Sequence, residues 1–214
     1  MKHRVCFIDD DGDFEIPLFR EVFGQEFDLL ASTDYADLQS RIASYQGWEP
    51  ELFILDLYFP SGPPDQDAVR VLRAAAPAFP RDEGGIRASY GNYLEAKSRL
   101  RRVLEAWKQG PLGGLNLAER IAEDYPQVPV VFYSRKACYE DVVRCLTLKN
   151  VRWVAKKPTG TDDADTARQT RSERERLSRC FRGAIAGDRL GSDERAREAA
   201  GLIAKLVGEM LGPD

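Results

Sequence analysis

The chain has 214 residues, 43% of them hydrophobic and 31% charged, which is enough apolar mass for a buried core and excludes wholesale disorder. Its 35 acidic residues outnumber its 31 basic ones and give a formal net charge of −4, so the strongly positive surface typical of duplex-binding proteins is not expected. Four cysteines without CxxC spacing and a single histidine argue against zinc sites and disulfide frameworks. The sequence has no signal-like or membrane-length apolar stretch, so we expect a cytoplasmic protein with reduced thiols and no membrane partner.

Short apolar runs alternate with amphipathic stretches along the chain, which predicts parallel strands joined by crossover helices. The predicted strands cover residues 4–8, 27–32, 52–55, 130–133 and 152–155. The predicted helices between them cover residues 14–23, 35–45, 115–124 and 139–148. The repeated strand–helix unit favours one open α/β sheet, whose ligand sites lie at the carboxyl ends of the strands.

A long segment interrupts this repeat where a connection of a few residues is expected. It covers residues 61–112, beginning with Ser-Gly-Pro-Pro and ending within a Gly-Pro-Leu-Gly-Gly run. Apolar residues recur at helical spacing from Tyr93 to Trp107, and residues 67–75 are interpreted as a shorter partner helix. We therefore predict a helical insertion.

Two further helices are predicted after the last strand, at residues 167–186 and 193–211. The domain prediction is a unit at 1–186 that contains the insertion, followed by a C-terminal helical extension at 187–214. The last helix carries an apolar stripe that either packs on its own domain or forms a dimer or partner surface.

Acidic residues follow two of the predicted strands. Asp9, Asp10 and Asp11 come after the first strand, and Asp56 comes directly after the third. Folding is expected to gather these carboxylates at one edge of the sheet, where Mg²⁺ would relieve their repulsion. The alternative is that acids at strand ends cap the following helices, as Asp11 or Asp13 can do.

A hydroxyl and an ammonium group are expected at the same edge. Ser134 follows the fourth strand and Lys157 follows the fifth. Carboxylates, a metal ion, a hydroxyl and a lysine together suit phosphoryl transfer, in which an aspartate attacks phosphorus and the other groups neutralise the equatorial oxygens.

These residues resemble the motifs of the response-regulator receiver domain of two-component systems. The Asp9-Asp10 pair resembles the family's acidic pair, and the run from Asp56 to Pro60 resembles its phosphoacceptor loop. Ser134 matches the family's Ser/Thr position, and Lys157 its lysine. The resemblance covers about residues 1–60 and 112–186 and implies a flavodoxin-like, doubly wound five-stranded parallel sheet in the order 2-1-3-4-5.

The resemblance also implies a function in phosphorelay signalling. Asp56 would accept a phosphoryl group from a histidine kinase or phosphotransfer protein, with Ser134 and Lys157 binding that group. Asp9, Asp10, Asp56 and the backbone carbonyl of Tyr58 would hold Mg²⁺. The protein would be a stand-alone response regulator that assists its own phosphotransfer and dephosphorylation and is not otherwise an enzyme.

Three features depart from the family pattern. Arg135 follows Ser134 where a small residue is usual, so it either crowds the site or supplies a second cation. Val154 stands where an aromatic residue is usual, which puts the family's switching mechanism in doubt. The insertion directly follows the phosphoacceptor loop and is a candidate partner or homodimer surface, as is the C-terminal helix.

Two alternative functions stay open at this point. A receiver fold can serve as a phosphorylation-independent interaction module. The run Asp9-Asp10-Asp11-Gly12 also fits the nucleophile motif of phosphatases resembling the haloacid dehalogenases, with Asp9 as nucleophile and Asp11 as general acid. No helix-turn-helix motif follows the last strand, so we expect output by protein contact and not through a DNA-binding domain.

Overall fold

The computed structural model describes residues 2–63, 65–67, 86–137 and 139–188. The chain falls into two compact units, one formed by Met1–Ser61 with Gly110–Arg189 and the other by Gly62–Gln109 with Leu190–Asp214. The helix predicted at 193–211 and nearly all of the one predicted at 67–75 lie outside the described residues.

Five strands of the first unit form an all-parallel sheet. The described strands in chain order are β1 (His3–Ile8), β2 (Phe27–Ser32), β3 (Leu52–Leu55), β4 (Phe59–Pro60), β5 (Gln109–Gly110), β6 (Val130–Ser134) and β7 (Val151–Lys156). The sheet order is β2-β1-β3-β6-β7, which is 2-1-3-4-5 when only the strands of this sheet are counted. The predicted flavodoxin-like architecture is confirmed.

The sequence forms these strands because their side chains are apolar on both faces. All four residues of β3 are fully buried, as are Val5, Cys6 and Phe7 of β1. Strands covered by helices on both faces read as continuous apolar runs, and this is how they stand in the sequence. Each predicted strand lies within one residue of the observed bounds.

The described helices are α1 (Glu15–Phe23), α2 (Tyr35–Ser44), α3 (Ile86–Ala106), α4 (Pro111–Asp124), α5 (Tyr139–Leu146), α6 (Asp163–Ser172) and α7 (Arg174–Ile185). Helix α3 belongs to the second unit and spans the stretch where apolar periodicity predicts a helix. No described helix is long and apolar enough to cross a membrane.

An aromatic cluster joins α1 and α7 to one face of the sheet. Phe7 and Phe19 stack with their ring centroids 4.0 Å apart, and the ring of Phe181 lies 5.9 Å from that of Phe19. All three side chains are buried, so truncating any of them to alanine would cost about 3–5 kcal/mol of folding free energy. This cluster fixes the sheet from which the functional side chains extend.

The single helix predicted at 167–186 is wrong, because the structure has two helices there, α6 and α7. The first begins early because the Asp162 side chain accepts a hydrogen bond from the Asp165 backbone N–H and caps it. The two helices are separated at Glu173, whose ψ of 5° leaves the helical range. Between Thr170 and Leu177 the sequence has no apolar residue to anchor a continuous helix on the sheet.

Candidate functional site

Three carboxylates meet at the carboxyl edge of the sheet. Asp9 follows β1 and Asp56 follows β3, and the β1–β3 register pairs the preceding residues, Ile8 and Leu55. With Asp10, they offer three carboxylate oxygens that all lie within 4.8 Å of one another. Asp9 and Asp56 are only 1% and 5% exposed, so their mutual repulsion is weakly screened by solvent. Oxygen ligands at this spacing suit a small divalent cation.

Lys157 places its ammonium group among these carboxylates from the end of β7. Its Nζ lies 2.5 Å from Asp9 Oδ2 and 3.5 Å from Asp56 Oδ1, and the residue is 3% exposed. Burial alone would lower the pKa of Lys157, but the carboxylates of Asp56, Asp9 and Glu15 outweigh it and raise the pKa. The lysine therefore stays charged and links the ends of β1, β3 and β7.

The carboxylates themselves resist ionisation. Burial raises the pKa of Asp9 to about 7 against the opposing charge of Lys157, and the carboxylate of Asp56 adds to the rise. Burial, followed by the charge of Asp56, also raises the pKa of Asp10. A bound cation would favour the charged form of both carboxylates and so act against these shifts.

Buried oxygens of the site without a hydrogen-bond partner among the described residues include Ser134 Oγ and Asp56 Oδ1. The other Asp56 oxygen, Oδ2, accepts a hydrogen bond of 3.4 Å from the Tyr58 backbone N–H. Buried polar atoms are rarely left without a partner, since each one costs about 1–3 kcal/mol. An unpartnered hydroxyl and an unpartnered carboxylate oxygen are what a site for an incoming polar ligand requires.

The loop after Asp56 is held by a close backbone contact. The Gly114 N–H donates a hydrogen bond of 3.2 Å to the Leu57 carbonyl. A Cβ atom at Gly114 would lie 2.5 Å from that carbonyl oxygen and 2.9 Å from the Asp56 carbonyl oxygen. Only glycine fits here, so the start of α4 depends on glycine to position the loop that carries Asp56.

Tyr58 has a buried side-chain partner. Its hydroxyl donates a hydrogen bond of 2.5 Å to Asp141 Oδ2 on α5, and both residues are buried. This contact ties the loop after Asp56 to α5. The sequence singles out Tyr58 for its backbone carbonyl but gives no sign of the Asp141 partner, which lies 83 residues away.

Sequence reasoning also missed a further buried carboxylate, Glu15, at the start of α1. Its Oε1 lies 2.5 Å from Arg135 Nη2, and its Oε2 lies 3.7 Å from Lys157 Nζ. Acids are common in the first turn of surface helices, because they interact favourably with the helix dipole. The sequence alone therefore does not show that Glu15 is buried. Arg135, which the sequence analysis marked as an unusual neighbour of Ser134, therefore pairs with an acid.

Asp11, the third acid of the run after β1, has a local role. Its side chain accepts a hydrogen bond of 2.8 Å from the Phe14 backbone N–H at the start of α1. This is the capping role weighed for acids at strand ends.

No family model matches the sequence, and no curated protein matches it. Among solved structures, the chain is similar to the beryllofluoride-activated NtrC4 receiver domain dimer, with 14% identity, 86% of this chain and 97% of the other covered, and a TM-score of 0.46. It is also similar to a CheY-like response regulator receiver domain from Methanospirillum hungatei, with 11% identity, 84% and 98% covered, and a TM-score of 0.39. The Mn²⁺-bound form of response regulator Rcp1 is 16% identical, with 79% and 91% covered and a TM-score of 0.40.

The topology of the sheet settles the fold independently of these likenesses. All ladders in the sheet are parallel, the order is 2-1-3-4-5, and the residues that resemble the receiver motifs lie at the carboxyl ends of β1, β3, β6 and β7. The chain has the fold of a response-regulator receiver domain.

Proposed function

We propose that the protein is a response regulator in which Asp56 accepts a phosphoryl group. The observation that carries the proposal is the environment of Asp56. Its Oδ1 has no hydrogen-bond partner among the described residues, lies 3.5 Å from the Lys157 ammonium, and stands beside the carboxylates of Asp9 and Asp10. A carboxylate surrounded in this way can act as a nucleophile. Nearby positive charge then stabilises the phosphoryl group that it accepts.

The reaction is a transfer between two proteins. A carboxylate oxygen of Asp56 forms a bond to the phosphorus of a phosphohistidine on a histidine kinase or phosphotransfer protein, while the phosphorus–nitrogen bond breaks. The imidazole leaves with the electron pair of that bond and takes a proton from water. The product is an aspartyl phosphate at Asp56.

The residues present fit Mg²⁺, because three carboxylate oxygens converge within 4.8 Å and the pKa values of Asp9 and Asp10 are raised. Asp9, Asp10 and Asp56 would hold the ion together with the Tyr58 backbone carbonyl. When bound, Mg²⁺ supplies positive charge that offsets the phosphoryl oxygens. Lys157 offers an ammonium group to the same oxygens, and the Ser134 hydroxyl offers a hydrogen bond.

The capping role of Asp11 favours this function over a haloacid-dehalogenase-like phosphatase. The phosphatase needs Asp11 as a general acid, but its carboxylate accepts the Phe14 N–H at the start of α1. The phosphatase also leaves Asp56 without a role, although Asp56 is one of the three converging carboxylates.

The test is an intact-mass measurement after incubation with Mg²⁺ and a small acyl phosphate. We expect one phosphoryl adduct on the wild type, none on Asp56→Asn, and a sharp reduction on Asp9→Asn. Asp13→Asn is the matched control, since this exposed acid lies in the same loop and should leave the adduct intact. Phosphate release that requires Asp9 but survives Asp56→Asn would favour the phosphatase. Neither adduct nor release would favour a phosphorylation-independent interaction module.

Output by protein contact is part of the proposal, and its candidate surfaces are the insertion at 61–112 and the extension at 187–214 within the proposed domain scheme. The mass of the particle in solution should be compared by light scattering before and after phosphorylation. A phosphorylation-dependent dimer of the wild type that Asp56→Asn does not form would support a homodimer, whereas an unchanged mass in both would point to a different protein as the output partner.

A further inference from the structure

Glu15 lies between two cations at the edge of the site. One oxygen, Oε1, is 2.5 Å from Arg135 Nη2, and the other, Oε2, is 3.7 Å from Lys157 Nζ. The Glu15 side chain is only 5% exposed, so solvent does little to screen either interaction. Its single negative charge is therefore shared between a lysine inside the carboxylate cluster and an arginine beside it.

Arg135 is fixed on both sides of this contact. Its Nε donates a hydrogen bond of 3.1 Å to the Pro158 carbonyl, and its own carbonyl accepts one of 3.0 Å from the Lys156 ammonium. The guanidinium thus contacts Pro158 and Glu15 at the same time. A planar group held at two points is well suited to keep Glu15 in one position.

Lys157 in turn divides its charge among three acids. Its Nζ lies 2.5 Å from Asp9, 3.5 Å from Asp56 and 3.7 Å from Glu15. Because Asp9 and Asp56 are also the proposed Mg²⁺ ligands, Lys157 competes with the metal ion for them. Any increase in the attraction of Glu15 for Lys157 weakens the hold of Lys157 on these two carboxylates.

We propose that Glu15 is a positioning residue of this site and that Arg135 controls its attraction for Lys157, so that the Glu15–Arg135 pair sets the affinity for Mg²⁺. This inference rests on the proposed function, since it concerns how that site holds its metal ion. With Arg135 in place, the charge of Glu15 is partly offset and Lys157 stays on Asp9 and Asp56. Without Arg135, Glu15 draws Lys157 toward itself and leaves the two carboxylates to the ion.

The test is calorimetric titration of the full chain with MgCl₂ and does not depend on phosphorylation. Arg135→Gln should bind Mg²⁺ about fivefold more tightly than the wild type, and Glu15→Gln about tenfold more weakly, since it removes a negative charge near the ion. Arg135→Lys keeps the positive charge and should restore most of the wild-type affinity. Lys156→Gln is the matched control, because it removes a neighbouring positive charge, and no ion pair joins Lys156 to Glu15 in the described part of the chain.

The double variant separates coupling from a general loss of positive charge. In the Glu15→Gln background, Arg135→Gln should change the Mg²⁺ affinity no more than Lys156→Gln does in the wild type. An Arg135→Gln effect that is equal in both backgrounds, or no larger than the Lys156→Gln effect, would overturn the inference while leaving the proposed function intact. A wild type that binds no Mg²⁺ at all would overturn both.

Discussion

The Lys157 ammonium lies 2.5 Å from Asp9 Oδ2, although 148 residues separate the two in the chain. Both side chains are buried, and the ion pair joins the end of β7, at one edge of the sheet, to the end of β1. A buried ion pair adds little net stability compared with an apolar pair, but breaking it leaves an uncompensated charge in a dry environment. Here one lysine balances several acids, so its loss affects the whole cluster.

The first prediction concerns removal of this lysine. Lys157→Met should lower the free energy of unfolding by about 3–5 kcal/mol in a chelator, because Asp9, Asp56 and Glu15 lose their shared cation. Mg²⁺ should restore part of the loss, since it supplies positive charge to the same carboxylates. Urea denaturation with and without Mg²⁺ measures both effects.

The exposed neighbour of Lys157 provides the control for this experiment. Lys156→Met should change the free energy of unfolding by less than about 0.5 kcal/mol. If both variants lost the same free energy of unfolding, the buried ion pairs of Lys157 would contribute nothing beyond what an exposed lysine contributes.

The second prediction concerns the repulsion among the carboxylates. Asp10→Asn should raise the free energy of unfolding by roughly 1 kcal/mol in a chelator, because it removes one of three negative charges that converge within 4.8 Å. The same variant should lose most of the stabilisation that Mg²⁺ gives the wild type, which is about 1.4 kcal/mol when the ion is present at ten times its dissociation constant. Thermal unfolding over a series of MgCl₂ concentrations distinguishes the two outcomes. A variant that is destabilised in the chelator would contradict the repulsion argument.

The third prediction concerns the close approach at Gly114. Gly114→Ala should destabilise the protein by more than about 2 kcal/mol, because the new Cβ would lie 2.5 Å from the Leu57 carbonyl oxygen and neither backbone can move freely. Gly91→Ala is the control. It lies within α3 with no heavy atom within 4 Å of the added Cβ, so it should stabilise the protein by about 0.5–1 kcal/mol.

The two alanine variants should also differ at the site. Gly114→Ala displaces the loop that carries Asp56 and should slow phosphorylation by the acyl phosphate, whereas Gly91→Ala should not. If Gly114→Ala left both stability and phosphorylation unchanged, the backbone contact would not be what positions the loop.

The fourth prediction is a pH dependence away from the site, at Glu51. Burial acts to raise the pKa of Glu51, but the Arg4 backbone N–H and the His3 side chain outweigh it and hold the pKa below its usual value. The folded pKa is therefore lower than the unfolded one, so the ionised carboxylate stabilises the fold above the unfolded pKa. This stabilisation is lost as the pH falls through the folded pKa.

Glu51→Gln tests this dependence. At pH 7 the variant should be less stable than the wild type by under about 1 kcal/mol, since the contacts are partly exposed to solvent. The difference should shrink as the pH falls below about 4.5, the unfolded pKa, and vanish below the folded pKa, where the wild-type carboxylate is protonated in both states. A difference that stays constant between pH 7 and pH 3 would mean that the charge of Glu51 is not involved.

The sequence was sufficient to predict the sheet and the edge at which the acids gather, because both depend on properties that repeat along the chain. Apolar runs mark buried strands, and strands in a parallel sheet end at one edge, so Asp9 and Asp56 come together whatever their side-chain rotamers. The Glu15–Arg135 pair depends instead on two particular side-chain conformations on elements 120 residues apart, to which no local pattern corresponds. The sequence also does not predict the break between α6 and α7 at Glu173, because that break depends on which residues the two helices pack against.

The last prediction concerns Tyr58 and the lifetime of the phosphoryl group. The side chain of Tyr58 is buried two residues after Asp56, and its hydroxyl donates to Asp141 on α5, so the ring is held in a fixed position beside the loop. A fixed apolar ring excludes water from its surroundings and should slow hydrolysis of the aspartyl phosphate. Tyr58→Ala should therefore speed the loss of the phosphoryl group by about tenfold, which corresponds to about 1.4 kcal/mol in the barrier.

Lys136→Ala should act in the same direction, because Lys136 lies two residues after Ser134 and interacts with the charges of Asp56 and Asp10. Tyr58→Phe keeps the ring but loses the hydrogen bond to Asp141, so it reports whether the ring alone is enough. The decay of the phosphorylated species, followed by intact mass after removal of the donor, gives each rate. A wild type that dephosphorylates fast, at a rate that Tyr58→Ala does not change, would show that Tyr58 does not control access of water.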